Sequence, residues 1–163
     1  VFVRLNAKRV ILAARRIPEL ERVKSECEVK QGQVVDVVQL DLSDPDGCLE
    51  FAQKYSKDND IDILVNNGGV SQRDEFINSD FCIATNLVNI NCMSPIALIK
   101  GFLPKMKNKS GSQIVNITSI AGQFGTPMRT FYCTSKFAID GFSKSLAADL
   151  DDVHVCICYP AYV

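Results

Sequence analysis

At 163 residues and 18.0 kDa, the chain has the size of one domain and is too short for a cofactor domain plus a separate substrate domain. Its composition, 47% hydrophobic and 23% charged residues, excludes a disordered or low-complexity protein. Eighteen basic and nineteen acidic residues give a net charge of −1 without a dense basic stretch, so we expect no nucleic-acid partner.

The predicted elements alternate between strand and helix along the whole chain. In order they are strand 9–14, helix 18–30, strand 33–40, helix 45–57, strand 61–65, helix 81–106, strand 113–118, helix 130–150 and strand 153–159. Such alternation is typical of a parallel sheet with right-handed crossovers. We therefore predict an α/β fold with a doubly wound parallel sheet.

Cysteine spacing and apolar run length indicate where the protein works. The seven cysteines are an odd number without paired metal-ligand spacing, which predicts free thiols in a reducing compartment and no metal site. Cys156 and Cys158 are expected on one buried face of the last strand. The longest unbroken apolar runs, such as 10–14, fall far short of the roughly 20 residues that span a bilayer. We expect membrane attachment only through a segment outside this sequence.

Polar and glycine-rich loops follow the predicted strands at their carboxyl ends, where sheets of this kind bind ligands. These loops contain Arg15, Asp41-Leu42, residues 66–69 (NNGG), Ser119 and Pro160-Ala161. Each could contact a ligand that lies across the sheet edge.

Tyr132 and Lys136 form the pair with the clearest chemistry. They lie four residues apart in a predicted helix, which places them one turn apart on one face. An ammonium group beside a phenol favours the phenolate, so the hydroxyl becomes a usable general acid or base. Such a pair also occurs on solvated helix faces, and the remaining motifs decide between the two interpretations.

Ser119 stands thirteen residues before Tyr132, and residues 66–69 close the strand that precedes them both. With this order of motifs the chain resembles the short-chain dehydrogenase/reductase family, and the resemblance covers essentially all 163 residues. It implies a single partial NAD(P)-binding Rossmann-like domain. Residues 67–73 (NGGVSQR) are most similar to the dehydrogenase/reductase member 7 group, whose members handle retinoids and steroids.

The resemblance implies a catalytic role for four residues. Tyr132 would be the acid/base, Ser119 would orient the substrate oxygen, and Lys136 would hold the nicotinamide ribose and assist the phenol. Asn91 would hold a water that links Lys136 to solvent. Asn89 is the alternative to Asn91, and an asparagine within a helix also has a purely structural interpretation as a kink residue.

The resemblance also implies a set of cofactor contacts. Asp41 would accept a hydrogen bond from the adenine amino group beside the Leu42 backbone, and Asn67 and Gly68 would let the backbone approach the adenosine ribose. Arg15 favours NADP over NAD, because a guanidinium group pairs with the extra phosphate in two bonds. The remaining predicted contacts are Tyr132, Lys136, Pro160 and Val163.

The chain departs from its family at both ends. It contains no glycine-rich phosphate loop and no first strand, which would lie between strands 9–14 and 61–65 at the centre of the sheet. It also ends before the segment that selects the substrate, so we expect a piece truncated at both ends.

Two hypotheses follow for function and partners. The first is an oxidoreductase that acts on a small-molecule carbonyl or alcohol. The alternative is a non-catalytic scaffold or an inactive fragment. The resemblance further implies a homo-oligomer that pairs through the two long helices, and it permits attachment to the endoplasmic reticulum through an N-terminal anchor.

Overall fold

The computed structural model describes residues 1–107 and 109–161, which divide into two compact units. The first unit is Val1–Asp41, and the second begins at Leu42. That all 163 residues form one partial domain stays a prediction.

The first unit is a strand, a helix and a second strand. β1 (Arg9–Ala14) and β2 (Val34–Gln39) pair in parallel, with Arg9 opposite Val34, and α1 (Ile17–Ser25) connects them. The helix ends five residues before the predicted boundary at residue 30. The Ser25 hydroxyl donates to the Arg22 carbonyl, and this side-chain bond competes with continuation of the helix.

The second unit contains a three-stranded parallel sheet in the order β3–β4–β5. Its strands are β3 (Ile63–Asn66), β4 (Gln113–Ile117) and β5 (His154–Cys158). Its helices are α2 (Pro45–Asp58), α3 (Phe81–Val88), α4 (Ser94–Met106) and α5 (Thr130–Asp149), with short 3₁₀ turns at Phe76–Asn78 and Ile120–Gly122. The predicted α/β class with parallel sheets is confirmed.

The predicted single helix over 81–106 is wrong in its centre. A π-helical turn over Asn89–Met93 separates α3 from α4. Apolar residues continue through this region, so the sequence pattern shows no break there. The turn instead coincides with side-chain hydrogen bonds that Asn91 makes to other parts of the fold.

The strands β1 and β3 belong to different sheets. Among the described residues β1 pairs with β2 alone, and β3 pairs with β4 alone. Within the part of the chain that the structure describes, each of these two strands is thus paired along one side. Ile63 and Val65 of β3 are 44% and 36% exposed.

A chain of buried polar side chains connects the sheet to α5. Asn66 Nδ2 donates to Asn116 Oδ1 at 2.8 Å, and Asn116 Nδ2 donates to Ser143 Oγ at 2.8 Å. All three side chains are buried, so each bond satisfies a group that water does not reach. The network therefore fixes α5 relative to β3 and β4, whose carboxyl ends carry the candidate site.

One expectation about burial needs correction. Cys156 and Cys158 are half-buried rather than fully buried, although all seven cysteines are free thiols as predicted. The segment Phe81–Met106 has a mean hydropathy of 1.5 over its most apolar window, so by length and composition alone it could cross a membrane. The run-length argument missed this, because isolated polar residues interrupt the apolar run. Of that window, 44% is buried inside the structure.

Candidate active site

Tyr132 and Lys136 both lie on α5, as their spacing predicts. The Lys136 ammonium lies 5.8 Å from the centroid of the Tyr132 ring and donates to the Ile117 carbonyl at 3.1 Å. Lys136 is only 6% exposed, and this burial lowers its pKa below the ordinary value of 10.5. The site thus keeps a lysine beside a phenol in a place where water screens its charge poorly.

Most of the predicted site residues of the second unit line one cavity of about 320 Å³. Its lining includes Asn67, Ser119, Tyr132, Lys136 and Pro160. The Ser119 side chain is held in place because its Oγ accepts the Ala121 N–H at 3.1 Å at the start of a 3₁₀ turn. The hydroxyl hydrogen of Ser119 stays available to a ligand oxygen.

Asn91 connects its own π turn to Val70, which lines this cavity, and to Ser135 of α5. Its Oδ1 accepts the Val70 N–H at 2.9 Å, and its Nδ2 donates to the Val70 carbonyl and to Ser135 Oγ, both at 2.9 Å. Asn91, rather than the alternative Asn89, makes these contacts. Both amide hydrogens are therefore used, and a water between Asn91 and Lys136 would have to donate to an oxygen of Asn91.

Two glycines allow the backbone to approach this group closely. A Cβ built on Gly122 would lie 2.9 Å from the Lys136 carbonyl oxygen, and one on Gly69 would lie 3.1 Å from Asn91 Oδ1. Any side chain at Gly122 would push against the backbone of α5. The loops after β3 and β4 can thus reach Lys136 only because glycine stands at these positions.

The other predicted cofactor residues lie in different parts of the structure. Asn67 and Gly68 are exposed after β3, and a Cβ on Gly68 would lie 2.5 Å from Leu42 Cδ1. The Leu42 carbonyl accepts the Ser94 hydroxyl at 2.7 Å. Arg15 and Asp41 are exposed residues of the first unit. Val163 lies outside the described residues.

Sequence reasoning missed Ser135 and Arg129. Ser135 is fully buried between Asn91 and the Tyr132 carbonyl, to which its hydroxyl donates at 2.7 Å. The sequence signal for Ser135 was its position directly before Lys136, within a segment from Tyr132 to Lys136 whose polar residues otherwise suggest exposure. Arg129 places its guanidinium 5.6 Å from the Tyr132 ring centroid. Its position three residues before the tyrosine puts it one turn away.

The fold defines the class of Rossmann-like α/β proteins with parallel sheets, and comparison with known proteins identifies the family. The model of the short chain dehydrogenase family matches residues 2–163. The chain therefore belongs to the short-chain dehydrogenase family, whose members are oxidoreductases.

One curated relative is a dehydrogenase/reductase SDR family protein 7-like of Drosophila melanogaster. It is 35% identical over 169 residues, which cover 100% of this chain and 52% of the relative. The chain thus spans about half the length of the curated relatives it matches.

Solved structures give the same result for the fold. A metagenomic short-chain oxidoreductase in complex with NADP has a TM-score of 0.89 and 29% identity, with coverage of 99% of this chain and 74% of the other. A short chain dehydrogenase/reductase from Burkholderia phymatum in complex with NAD has a TM-score of 0.85 and 25% identity, with coverage of 95% and 57%. The first of these structures was solved with NADP and the second with NAD.

Proposed function

We propose that the protein transfers a hydride between NADP(H) and the carbonyl or alcohol carbon of a small molecule, with Ser119, Tyr132, Lys136 and Asn91 as its catalytic site. One observation carries the proposal: Ser119, Tyr132 and Lys136 line a single cavity, with Lys136 buried beside the tyrosine ring.

The residues present fit the nicotinamide end of the cofactor. The Lys136 ammonium, bonded to one carbonyl, has donors left for ribose hydroxyls. Gly69 and Gly122 let the loops beside the cavity pack closely against Asn91 and Lys136. Asn67 and Pro160 line the same cavity. When bound, the cofactor supplies or accepts the hydride.

The side chains then handle the proton and the substrate oxygen. In reduction, the Tyr132 hydroxyl donates its proton to the carbonyl oxygen, and in oxidation the phenolate accepts the alcohol proton. Ser119 donates a hydrogen bond to the same oxygen and so fixes its direction. Lys136 lies beside the Tyr132 ring, and Asn91 holds the Val70 loop and α5 in register around the site.

Replacing Tyr132 with phenylalanine tests the proposal in the full-length protein. Tyr132→Phe keeps the ring and removes the transferable proton, so carbonyl reduction should fall by at least about 100-fold. NADPH binding, measured by fluorescence titration, should stay within a few-fold. Tyr55→Phe is the control, since Tyr55 lies on α2 and packs against Phe51 of the same helix and Phe102 of α4, away from the site. Activity of Tyr132→Phe within tenfold of wild type would contradict the assignment.

The preference for NADP rests on Arg15. Arg15→Asp replaces a group that can pair with the 2′-phosphate by one that repels it, which should cost about 1–3 kcal/mol of NADPH affinity relative to NADH. The measurement is the ratio of kcat/KM for the two cofactors on each protein. An unchanged ratio would show that Arg15 is an ordinary surface residue.

The substrate and the assembly are further parts of the proposal. The similarity of residues 67–73 to the member 7 group favours a retinoid or steroid substrate. Exposed apolar residues on the long helices, Phe81, Met93 and Phe137, support pairing of two copies through α3–α4 and α5. Sedimentation equilibrium of the full-length protein would measure this assembly.

A further inference from the structure

The side chains of the candidate site belong to two segments that must keep a fixed distance from each other. Tyr132 and Lys136 lie on α5, whereas Ser119 lies in the loop that follows β4. A third segment, after β5, contributes Pro160 to the lining of the same cavity. The Pro160 carbonyl accepts the Ile120 N–H at 3.2 Å, so this segment is bonded to the residue that follows Ser119. The position of Ser119 therefore depends on where the segment after β5 lies.

Asp140 connects the segment after β5 to α5. It lies one turn beyond Lys136 on that helix and is only 5% exposed. Tyr159, directly before Pro160, donates its hydroxyl to Asp140 Oδ1 at 2.6 Å. Because Asp140 and Lys136 share a helix, this one bond connects the helix of the acid/base pair to the segment that holds the Ser119 loop.

The Asp140 carboxylate has several partners that keep it charged and in place. Its Oδ2 forms an ion pair with Lys144 Nζ at 2.7 Å, one turn further along α5. Burial alone would raise the pKa of the carboxyl, but hydrogen bonds from Lys144, Tyr159 and Gln123 hold that pKa below its usual value of 3.8. Gln123 directly follows the 3₁₀ turn that begins after Ser119. An ionised carboxylate only accepts hydrogen bonds, and bonds to a charged group are stronger than bonds between neutral groups.

The Asp140 bond is placed differently from the other buried polar contacts of α5. The network of Asn66, Asn116 and Ser143 already fixes α5 to the strands themselves. Tyr159 lies just past the last residue of β5, at the end of the sheet where the cavity lies. The bond from Tyr159 to Asp140 therefore holds a wall of the cavity rather than the body of the sheet.

We propose that Asp140 is a positioning residue, which through the Tyr159 hydroxyl keeps Ser119 at a fixed distance from the acid/base pair on α5. The inference rests on the proposed function and deepens it, because it adds a residue that the reaction needs and that does not line the cavity. Asp140 acts only through the segments that it connects.

Tyr159→Phe in the full-length protein is the main variant, because it removes the hydroxyl and keeps a ring that is 38% exposed. The assay is NADPH-dependent reduction of the better of two probes, all-trans-retinal and cyclohexanone. The kcat should fall about tenfold, since a displacement of a catalytic group by about 1 Å is enough for such a loss. Tyr55→Phe also removes a tyrosine hydroxyl, but from α2, and should keep kcat within about twofold. A kcat of Tyr159→Phe within threefold of wild type would overturn the proposal.

A double-mutant cycle shows whether the effect passes through Ser119. Ser119→Ala removes the hydroxyl whose position the Asp140 bond controls. In that background Tyr159→Phe should lower kcat by less than about threefold, because no Ser119 hydroxyl is left to be displaced. A tenfold loss in both backgrounds would refute the positioning of Ser119 and indicate a general structural effect.

Amide hydrogen exchange separates this proposal from the proposed function. If neither probe is reduced, the oxidoreductase proposal fails, and exchange measured by NMR of the 15N-labelled protein still decides the positioning role. In Tyr159→Phe the Ile120 amide, which donates to Pro160, should exchange at least about tenfold faster than in wild type. The Thr118 amide, which donates to the Cys158 carbonyl, is the internal control and should exchange at an unchanged rate. Equal exchange of Ile120 in both proteins would refute the proposal.

Discussion

Lys136 carries its charge where burial makes the charged form costly, and this has a consequence for stability. Because burial lowers its pKa, the folded protein releases this proton at a lower pH than the unfolded chain does. Between the lowered pKa and 10.5 the unfolded state binds more protons, so stability rises with pH in that window. Below the window the cost of burying the ammonium is fully present.

Lys136→Met should therefore remove part of the alkaline increase in unfolding free energy. Urea unfolding of the full-length protein from pH 7 to pH 10 measures the unfolding free energy of wild type and variant. The contributions of the other titrating groups cancel in the difference between the two proteins. Lys100→Met replaces an exposed lysine on α4 and should leave the pH dependence as it is. A difference between Lys136→Met and wild type that does not vary with pH would mean that Lys136 is not desolvated.

Ser135 and Thr134 are neighbours on α5 with hydroxyl groups of very different importance. Ser135 is fully buried, and its loss would leave an amide hydrogen of Asn91 without its partner. Thr134 is exposed, and its hydroxyl only returns to the Thr130 carbonyl at 2.9 Å. Ser135→Ala should cost about 1–3 kcal/mol of unfolding free energy, and Thr134→Ala should change it by less than about 0.5 kcal/mol. Similar values for both would refute the role of Ser135 as the anchor of Asn91.

At the scale of elements, two helical glycines should respond to alanine in opposite directions. On α4, a Cβ at Gly101 would collide with Ala52 Cβ and lie 3.1 Å from the Gln53 nitrogen, both on α2. On α5, a Cβ at Gly141 would meet nothing within 4 Å. Gly101→Ala should destabilise the protein by about 1–3 kcal/mol because the helices must separate. Gly141→Ala should stabilise it by about 0.5–1 kcal/mol through helix propensity.

Thermal unfolding of both variants measures this contrast. Stabilisation by Gly101→Ala would show that α2 and α4 are not in such close contact. Destabilisation by Gly141→Ala would show that another surface covers that position of α5.

The elements themselves were largely predictable, since each strand is a short apolar run and each helix has apolar residues at helical spacing. The strand β1 was predicted with its observed bounds, and the Tyr132–Lys136 pair was placed correctly on one helix. The π turn was not predictable, because contacts of Asn91 with Val70 and Ser135, distant in sequence, accompany it. Arg129 was missed for the same reason: its contacts depend on how two loops meet.

At the scale of the whole molecule, the free edges of β1 and β3 dominate the behaviour of residues 1–163 as an isolated polypeptide. Unpaired strand edges with apolar side chains recruit other chains. We expect the isolated polypeptide to be poorly soluble or to bind hydrophobic dyes. We also expect no measurable NADPH affinity, because the sequence contains no glycine-rich phosphate loop.

Dye fluorescence, urea unfolding and NADPH titration of the isolated polypeptide test this expectation. A soluble 18.0 kDa chain that unfolds cooperatively and binds micromolar NADPH would contradict it. The pyrophosphate would then need contacts other than those the family uses.

The π turn at Asn89–Met93 also determines how this helix tolerates changes in length. A π turn encloses one residue more than an α turn, so the helix already contains the equivalent of a one-residue insertion. Deleting a residue there would yield one regular α-helix and leave the residues on its two sides in nearly the same register, because the deletion removes the extra residue that the wider turn accommodates. The wider turn that accompanies the contacts of Asn91 with Val70 and Ser135 would be lost. The shorter helix would be locally more regular, but the candidate site would lose the contacts of Asn91. We therefore expect a deletion at this position to make the helix more regular and the protein less active.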